Sequence, residues 1–288
     1  MKPRFYAFAL LFFPFIFPSL SQAQLEKSLL WEISGNGLAT PSYLYGTMHV
    51  GDKRAHDFSD ATMNAFKQAK AFAGELNMED VDQLAVLNLM KLDSGKKLHT
   101  FFSSEEWTKI EAYFNTKLHV NPNDFDDYNT FFLYSMIAQS QFKNQKGEAV
   151  DLYFFSEAKK AGKKLLGLEK VEEQIAAIGS MPLDEQKKMI LDAVEGKQGN
   201  GKKELKKMMK YYTKGDLESL LKFSEDTEMG PEFERALIID RNHRMADRMV
   251  PLMEAQSTFV GVGALHLPGE EGVINLLRKK GYSVKALK

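Results

Sequence analysis

Hydrophobic and polar residues alternate with two different periods along the chain, and the shorter period is concentrated towards both ends. The apolar runs 29–33 and 42–46 flank the turn-forming residues Ser34–Gly37, which is typical of a β-hairpin. Further short apolar runs predict strands at 71–76, 164–169, 258–265 and 282–286.

The longer, helical period fills most of the middle of the chain. Ser59 can cap a first helix, and apolar residues then recur at helical spacing from Glu79 to about Tyr212. A long helix is predicted over 232–253 and a shorter one over 271–279.

Strands that alternate with helices at both ends predict the α/β class. We therefore expect a central mixed sheet flanked by helices, with a large helical insertion in the middle of the chain at about 79–225. No linker rich in Ser or Pro divides the chain, so residues 24–288 are predicted to form a single α/β domain.

The first 23 residues have the pattern of a secretory signal peptide. Met1–Arg4 is cationic, residues 5–20 are apolar, and Ser21 and Ala23 place small residues at the cleavage positions. We expect cleavage before Gln24 and a secreted or periplasmic protein; an uncleaved membrane anchor is the alternative. No later run approaches the ~20 apolar residues of a spanning helix, so no integral membrane segment is expected after cleavage.

Composition and charge exclude several classes of function. The chain has 38 basic and 39 acidic residues and a net charge of -1, so no general affinity for nucleic acid is expected. It contains no cysteine, which excludes disulfide scaffolds, Cys-ligated metals, cysteine nucleophiles and a lipoprotein anchor. The sequence motifs of zincins, serine hydrolases and P-loop NTPases are missing as well.

Two Gly-x-x-His segments stand at the carboxyl ends of predicted strands. One ends at His49 and the other at His266, and a third predicted strand carries Glu75 near its end. Ligands of open α/β sheets bind beyond the carboxyl ends of the strands. The three side chains can therefore form one site if their strands are neighbours in the sheet.

Two imidazoles and a carboxylate suit a divalent metal that keeps open positions for water and substrate. Such a metal acidifies bound water and polarises a carbonyl, which favours hydrolysis. The alternative interpretation is structural: both histidines hydrogen-bond loops, and Glu75 caps a helix near Asp80.

Four stretches of sequence share their order and spacing with a known family: Tyr43–His49, Gly167–Glu169 with Glu173–Gln174, Arg241–Asn242 with Met245, and Phe259–Gly269. Over about residues 28–286 the chain resembles the TraB/GumN family, whose animal relatives are the Tiki proteins. The central helices contribute little to this resemblance.

The resemblance implies an α/β fold distantly like that of the erythromycin esterases and the haem-binding ChaN proteins. Tiki proteins are described as membrane-tethered metalloproteases, so it also implies a divalent metal, Mn²⁺ or Co²⁺, with Zn²⁺ as a further candidate. Carried over residue by residue, His49 and His266 match the family's essential histidines, and Glu75 matches its acidic residue. The membrane anchor has no counterpart here, so the same substrate is not implied.

The predicted helix before the last core strand adds two candidates. Arg241, Arg244 and Arg248 share one helical face, which by pattern alone favours a solvated stripe. The resemblance places an Arg-Asn pair at Arg241 and Asn242, and this favours a catalytic role for both and a solvated role for the other arginines. A guanidinium directed towards the strand ends can orient a carboxylate such as Glu75.

These features together predict an exported metal-dependent hydrolase, most simply a peptidase that acts on peptide or protein substrates. Two alternatives stay open at this point. The same crevice can hold haem or another planar ligand, or it can sequester a peptide without cutting it. The oligomeric state is left open.

Overall fold

A computed structural model describes residues 25–142, 147–197, 201–225 and 230–288. The predicted signal peptide lies outside these residues, as does the cleavage site before Gln24. Within the described part of the chain, no helix has the length and apolar character needed to cross a membrane.

One mixed sheet forms the centre of the fold. Its strands are β1 (Leu30–Ser34), β2 (Ser42–Thr47), β3 (Ala71–Gly74), β4 (Lys164–Gly167), β5 (Thr258–Gly263) and β6 (Ser283–Leu287). Their order across the sheet is β4-β3-β5-β2-β1-β6. The first four strands in this order run parallel, whereas β1 pairs antiparallel with both β2 and β6. The predicted hairpin and the predicted α/β class with a mixed sheet are confirmed.

Helices cover the sheet and fill the middle of the chain. They are α1 (Asp60–Gln68), α2 (Gln83–Leu89), α3 (Ser104–Tyr113), α4 (Thr130–Phe142), α5 (Val150–Lys160), α6 (Val171–Gly179), α7 (Leu183–Val194), α8 (Gly201–Tyr212), α9 (Leu217–Glu225), α10 (Pro231–Glu234), α11 (Asp240–Ala255) and α12 (Val273–Lys279). As predicted, Ser59 caps α1, accepting a hydrogen bond from the backbone of Thr62. A π-helical turn at Arg235–Ile239 joins α10 to α11, so the predicted helix over 232–253 is a helical run from Pro231 to Ala255.

Three strands end earlier than their apolar runs predicted. β3, β4 and β5 stop at Gly74, Gly167 and Gly263, so the predicted ends at 76, 169 and 265 were wrong. Glycine has no side chain to pack on a sheet surface and often marks a strand end where other groups approach closely. A Cβ at Gly167 would come within 2.6 Å of the Asn77 backbone nitrogen. The last predicted helix likewise starts at Val273 rather than 271.

The two faces of the sheet carry different side chains. One face is aromatic: Phe259 packs against Phe154 of α5 and Phe66 of α1, with ring centroids 5.0 and 5.3 Å apart. Because side chains alternate between faces along a strand, Gly261 and Gly263 continue this face beyond Phe259. The aromatic side chains of β5 therefore end at Phe259, and other groups approach the two glycines closely at its carboxyl end.

The helical middle of the chain has a hydrophobic cluster of its own. It joins α3, α4 and α7 away from the sheet, through Leu98, Trp107, Ile110, Phe114, Leu133, Ile137 and Ile190. The main cluster lies instead on both faces of the sheet. The candidate site residues belong to the sheet side of this division.

Candidate functional site

The carboxyl ends of β2, β5 and β3 bring the three predicted ligands together. Strands β2 and β5 are parallel neighbours, with Thr47 opposite Gly263, so both Gly-x-x-His segments leave the sheet at the same edge. His49 follows β2 by two residues, and His266 ends a 3₁₀ turn that begins directly after β5. Glu75 directly follows β3, the other neighbour of β5.

Both histidines face one oxygen of the Glu75 carboxylate. The Nε2 atoms of His49 and His266 each lie 3.9 Å from Glu75 Oε1. The His266 and Glu75 side chains are only 7% and 11% exposed, whereas the His49 side chain is 61% exposed. The cluster is thus a buried centre that opens to solvent on the His49 side.

Each imidazole has a partner on its other nitrogen. Asp151 Oδ2 lies 3.1 Å from His49 Nδ1, and Asn242 Oδ1 lies 2.6 Å from His266 Nδ1. The Asn242 amide nitrogen donates to the Glu271 carbonyl, which leaves its oxygen to accept the His266 Nδ1 proton. Both rings are therefore oriented from behind with Nε2 towards Glu75, the arrangement in which metal-ligating histidines are normally held.

Glu75 is held as a carboxylate. Its Oε1 accepts from the Gly263 N–H at 2.7 Å, and its Oε2 accepts from Arg241 Nη2 at 2.8 Å. Burial alone would raise its pKa, but His266, His49, Arg241 and the Gly263 N–H together hold the pKa at about 2. Glu75 therefore stays negatively charged over the whole physiological pH range.

Arg241 joins Glu75 to a second buried carboxylate. Its Nε and Nη2 donate to Glu169 at 2.7–3.1 Å, while the same Nη2 reaches Glu75. The Glu169 side chain is fully buried. Gln174 Nε2 also donates to both carboxylates, at 3.2 and 3.1 Å. The planar guanidinium fork thus fixes two negative side chains at once, as a lysine cannot.

The two histidines differ in protonation. The hydrogen bond to Asp151 raises the pKa of His49 to about 9, although the exposure of its side chain lets solvent weaken the shift. Burial lowers the pKa of His266 to about 4. At neutral pH the buried imidazole is neutral and the exposed one is largely protonated.

The three side chains suit a divalent cation in their chemistry, and their spacing is slightly wide. Bonds of ~2.0–2.1 Å in tetrahedral geometry place ligand atoms about 3.4 Å apart, against 3.9 Å from each Nε2 to Glu75 Oε1. Accordingly, no group of three His, Asp or Glu side chains among the described residues is already placed to hold a metal. A Cβ built on Gly263 would lie 3.2 Å from Glu75 Oε1 and 3.8 Å from His49 Nε2. A side chain at this position would crowd Glu75 and both histidines, so glycine allows the three side chains to converge.

The other two arginines of α11 pair with acidic side chains. Arg248 makes two hydrogen bonds of 2.7 Å with Glu173, and Arg244 lies 3.4 Å from Glu169. Their side chains are 38% and 30% exposed, against 8% for Arg241. The solvated role predicted for them was therefore wrong in part, because α6 lies against this helical face.

Three contributors were not placed in the site by the sequence: Asp151, Glu169 and Gln174. Asp151 is in the first turn of α5, where an acidic residue is ordinary for helix-dipole reasons alone. Glu169 follows a strand and precedes α6, so its position equally fits a helix cap. Glu169 and Gln174 belong to stretches that resemble the family, and Glu169 could also end a strand near the cleft. Their contacts place them here: Asp151 with His49, Glu169 with Arg241, and Gln174 with Glu75 and Glu169.

The fold and this cluster define a class: an α/β protein with a His–Glu–His group at the carboxyl ends of its parallel strands. The sequence profile of the TraB/PrgY/gumN family matches residues 29–286, and the chain belongs to this family.

Curated relatives of the chain carry the name metalloprotease. It is 23% identical to Metalloprotease TIKI2 of Danio rerio, 25% identical to Metalloprotease TIKI1 of Danio rerio and 23% identical to Metalloprotease TIKI1 of Homo sapiens. These matches cover 90%, 90% and 92% of this chain, and 61%, 63% and 62% of the relatives. The chain thus spans about three fifths of the relatives' length. No solved structure matches it significantly.

Proposed function

We propose that this protein is an exported metal-dependent hydrolase, a peptidase, whose site is formed by His49, Glu75 and His266. One observation carries the proposal: two imidazoles, each held from behind by a polar side chain, turn Nε2 towards one carboxylate oxygen at 3.9 Å. The relatives named metalloproteases support a metal-dependent peptidase function for this chain.

In this proposal, His49, His266 and Glu75 would hold the cation. The chemistry supplied there would be that of a Lewis acid, which makes water more acidic and polarises the scissile carbonyl. Arg241 acts as a positioning residue, because its bonds to Glu75 and Glu169 prevent the carboxylate from rotating away. Asn242 fixes the tautomer of His266 and leaves its Nε2 lone pair free.

Two imidazole nitrogens and one carboxylate oxygen suit Mn²⁺, Co²⁺ or Zn²⁺. The first two are the metals that the family resemblance implies. The N-terminal pattern of residues 1–23 supports export through a cleaved signal peptide. Residues 24–288 then act as one domain that receives peptide or protein substrates.

Haem binding has less support. A haem iron would need an imidazole nitrogen facing an open slot. Instead, both Nε2 atoms face the Glu75 carboxylate, which Arg241 and Gly263 already hold in place.

The metal content of purified protein is the direct test. Wild-type protein prepared without chelator is expected to bind about one Mn²⁺ or Co²⁺ per chain and to cleave a quenched-fluorescence peptide library when that metal is added. His49→Ala removes one of three ligands and should lower metal affinity at least about 100-fold, more than the loss of an outer partner does. His99→Ala is the matched control, since His99 is half-exposed and pairs with Asp126 in the helical middle of the chain.

Equal metal affinity in the wild type and His49→Ala would overturn the metal site. A red protein with a Soret band would favour the haem alternative instead. Peptide binding without cleavage in the metal-loaded protein would indicate a protein that sequesters peptides.

Metal affinity is also expected to depend on pH in a defined direction. His49 is protonated below a pKa that Asp151 raises from the ordinary 6.5 to about 9, and the proton on Nε2 competes with the metal. Apparent affinity should therefore increase by up to about tenfold per pH unit from pH 6 towards pH 9. Asp151→Asn should move this dependence towards about pH 6.5, the ordinary value for histidine.

Titration calorimetry with Mn²⁺ at pH 6, 7, 8 and 9 measures this dependence. If wild type and Asp151→Asn give the same pH profile, His49 is not the ligand whose proton is displaced.

A further inference from the structure

A pocket opens directly beside the His–Glu–His cluster. It has a volume of about 80 Å³, and His49 and Glu75 form part of its wall. The remaining wall is largely apolar and comes from the loop after β3 and from α5. A ligand in this pocket therefore lies in contact with the proposed catalytic centre.

The floor of the pocket results from the residue pattern of β5. Phe259 completes the aromatic layer, and Gly261, two residues further on the same face, leaves that surface bare. A Cβ at Gly261 would come 3.2 Å from Thr47 Cγ2 and 3.4 Å from Phe72 Cε2. Glycine at this position therefore lets Thr47 and Phe72 pack closely against β5, and these three residues form the base of the pocket.

Two large apolar side chains stand at the rim and remain solvent-exposed. Met78 is 43% exposed and Leu152 is 39% exposed, and both line the pocket together with Leu76 and Phe155. Exposed apolar groups that converge on a concave surface are typical of a binding site rather than of scattered surface residues.

Two buried polar atoms beside the pocket lack a partner among the described residues. They are Thr47 Oγ1 and Asp151 Oδ1, and both residues line the pocket. Buried polar atoms are nearly always hydrogen-bonded in folded proteins. A hydroxyl can donate or accept and a carboxylate can accept, so together they match the carbonyl and N–H groups of a peptide backbone.

We propose that this pocket binds one bulky apolar side chain, such as Phe, Leu or Met, of a peptide substrate next to the bond that is cleaved. This inference rests on the proposed peptidase function and names the side-chain preference of that site. Phe72, Leu76, Met78, Leu152 and Phe155 enclose the side chain, while Thr47 and Asp151 bind the adjacent backbone. Peptides with small or charged residues at this position leave the apolar walls uncovered and bind weakly.

The test uses end-blocked peptide amides of one sequence that differ at a single residue: Phe, Leu, Ala or Lys. Calorimetry on the purified full chain without added metal is expected to give at least about tenfold tighter binding for Phe and Leu than for Ala or Lys, the range typical of one apolar side chain in a pocket. With Mn²⁺ or Co²⁺ added, kcat/KM should follow the same order.

Leu152→Glu places a charge at the rim and should remove the preference for Phe over Lys. Leu183→Glu is the matched control, because Leu183 is 43% exposed at the start of α7 and does not line the pocket; it should retain the wild-type ranking. Thr47→Val, similar in shape but without the hydroxyl, should weaken all four peptides a few-fold without changing their order.

Equal binding of all four peptides by the wild type would overturn the pocket assignment. So would an identical ranking in Leu152→Glu and Leu183→Glu. A preference for Phe without cleavage under any metal condition would overturn the peptidase while leaving the pocket in place. Cleavage of all four peptides at equal rates would overturn the pocket assignment while leaving the peptidase in place.

Discussion

Glu75→Gln is expected to lower kcat/KM for metal-dependent peptide cleavage by about 10²- to 10⁴-fold, the range for loss of a positioned acid–base or charged group. The glutamine side chain has the same shape but no negative charge, so it neutralises neither a cation nor a protonated His49. Both Nε2 atoms lie 3.9 Å from the oxygen concerned. Metal affinity, measured by calorimetry, should fall together with activity.

The fold should tolerate this change. Glutamine still offers an oxygen to the Gly263 N–H, and Arg241 retains Glu169 as its counter-ion. The glutamine NH₂ group, however, replaces an oxygen that accepts from Arg241 and Gln174, so those two hydrogen bonds are lost. The weakened hydrogen bonds should lower the free energy of unfolding by about 1–3 kcal/mol. Circular dichroism and urea unfolding measure this loss of stability separately from the loss of activity.

Glu173→Gln is the control for Glu75→Gln. Glu173 has its pKa lowered to about 2, chiefly by Arg248, and its side chain is 24% exposed at the edge of the same network. Its replacement should change activity by less than about threefold, as expected for a partly exposed ion pair. A folded Glu75→Gln variant with activity as high as this control would show that Glu75 is structural.

Arg241→Met is expected to cost about 3–5 kcal/mol of folding stability, the typical effect of removing one partner of a buried ion pair. Glu169 is fully buried and takes three of the hydrogen bonds that Arg241 donates. Without the guanidinium, two carboxylates remain together in the interior, with Gln174 beside both, Arg244 beside Glu169 and the Gly263 N–H beside Glu75. For a domain of this size the melting temperature should fall by roughly 6–20 °C.

Arg248→Met provides the comparison, because Arg248 pairs with Glu173 at the surface and its side chain is 38% exposed. It should cost no more than about 1 kcal/mol. Arg241→Lys should recover part of the stability by restoring the charge, but turnover should stay low since lysine cannot bond Glu75 and Glu169 in one plane. Similar melting temperatures for Arg241→Met and Arg248→Met would contradict the buried role of Arg241.

The sequence determined the strands, the class of fold and the three side chains of the His–Glu–His cluster. Short apolar runs bounded by turn residues predicted all six strands. Such runs are typical of strands buried on both faces, as β2, β3 and β5 almost completely are. The Gly-x-x-His pair was visible because glycine and histidine follow a strand in the same way twice. His49 and His266 are 217 positions apart in the sequence, which does not indicate how far apart they lie in space. The parallel pairing of β2 with β5 brings them together.

Tertiary structure alone decided the surroundings of those residues. Asp151 and Glu169 look like ordinary residues at helix starts, and their contacts with His49 and Arg241 come from packing α5 and α11 against the sheet. The pKa values of the two histidines also depend on this packing: a hydrogen bond to Asp151 raises the pKa of His49, whereas burial lowers the pKa of His266. Local sequence fixes which side chains are available at a strand end. Only the packing of distant segments sets their distance, solvent exposure and charge, because these depend on neighbours that no local pattern encodes.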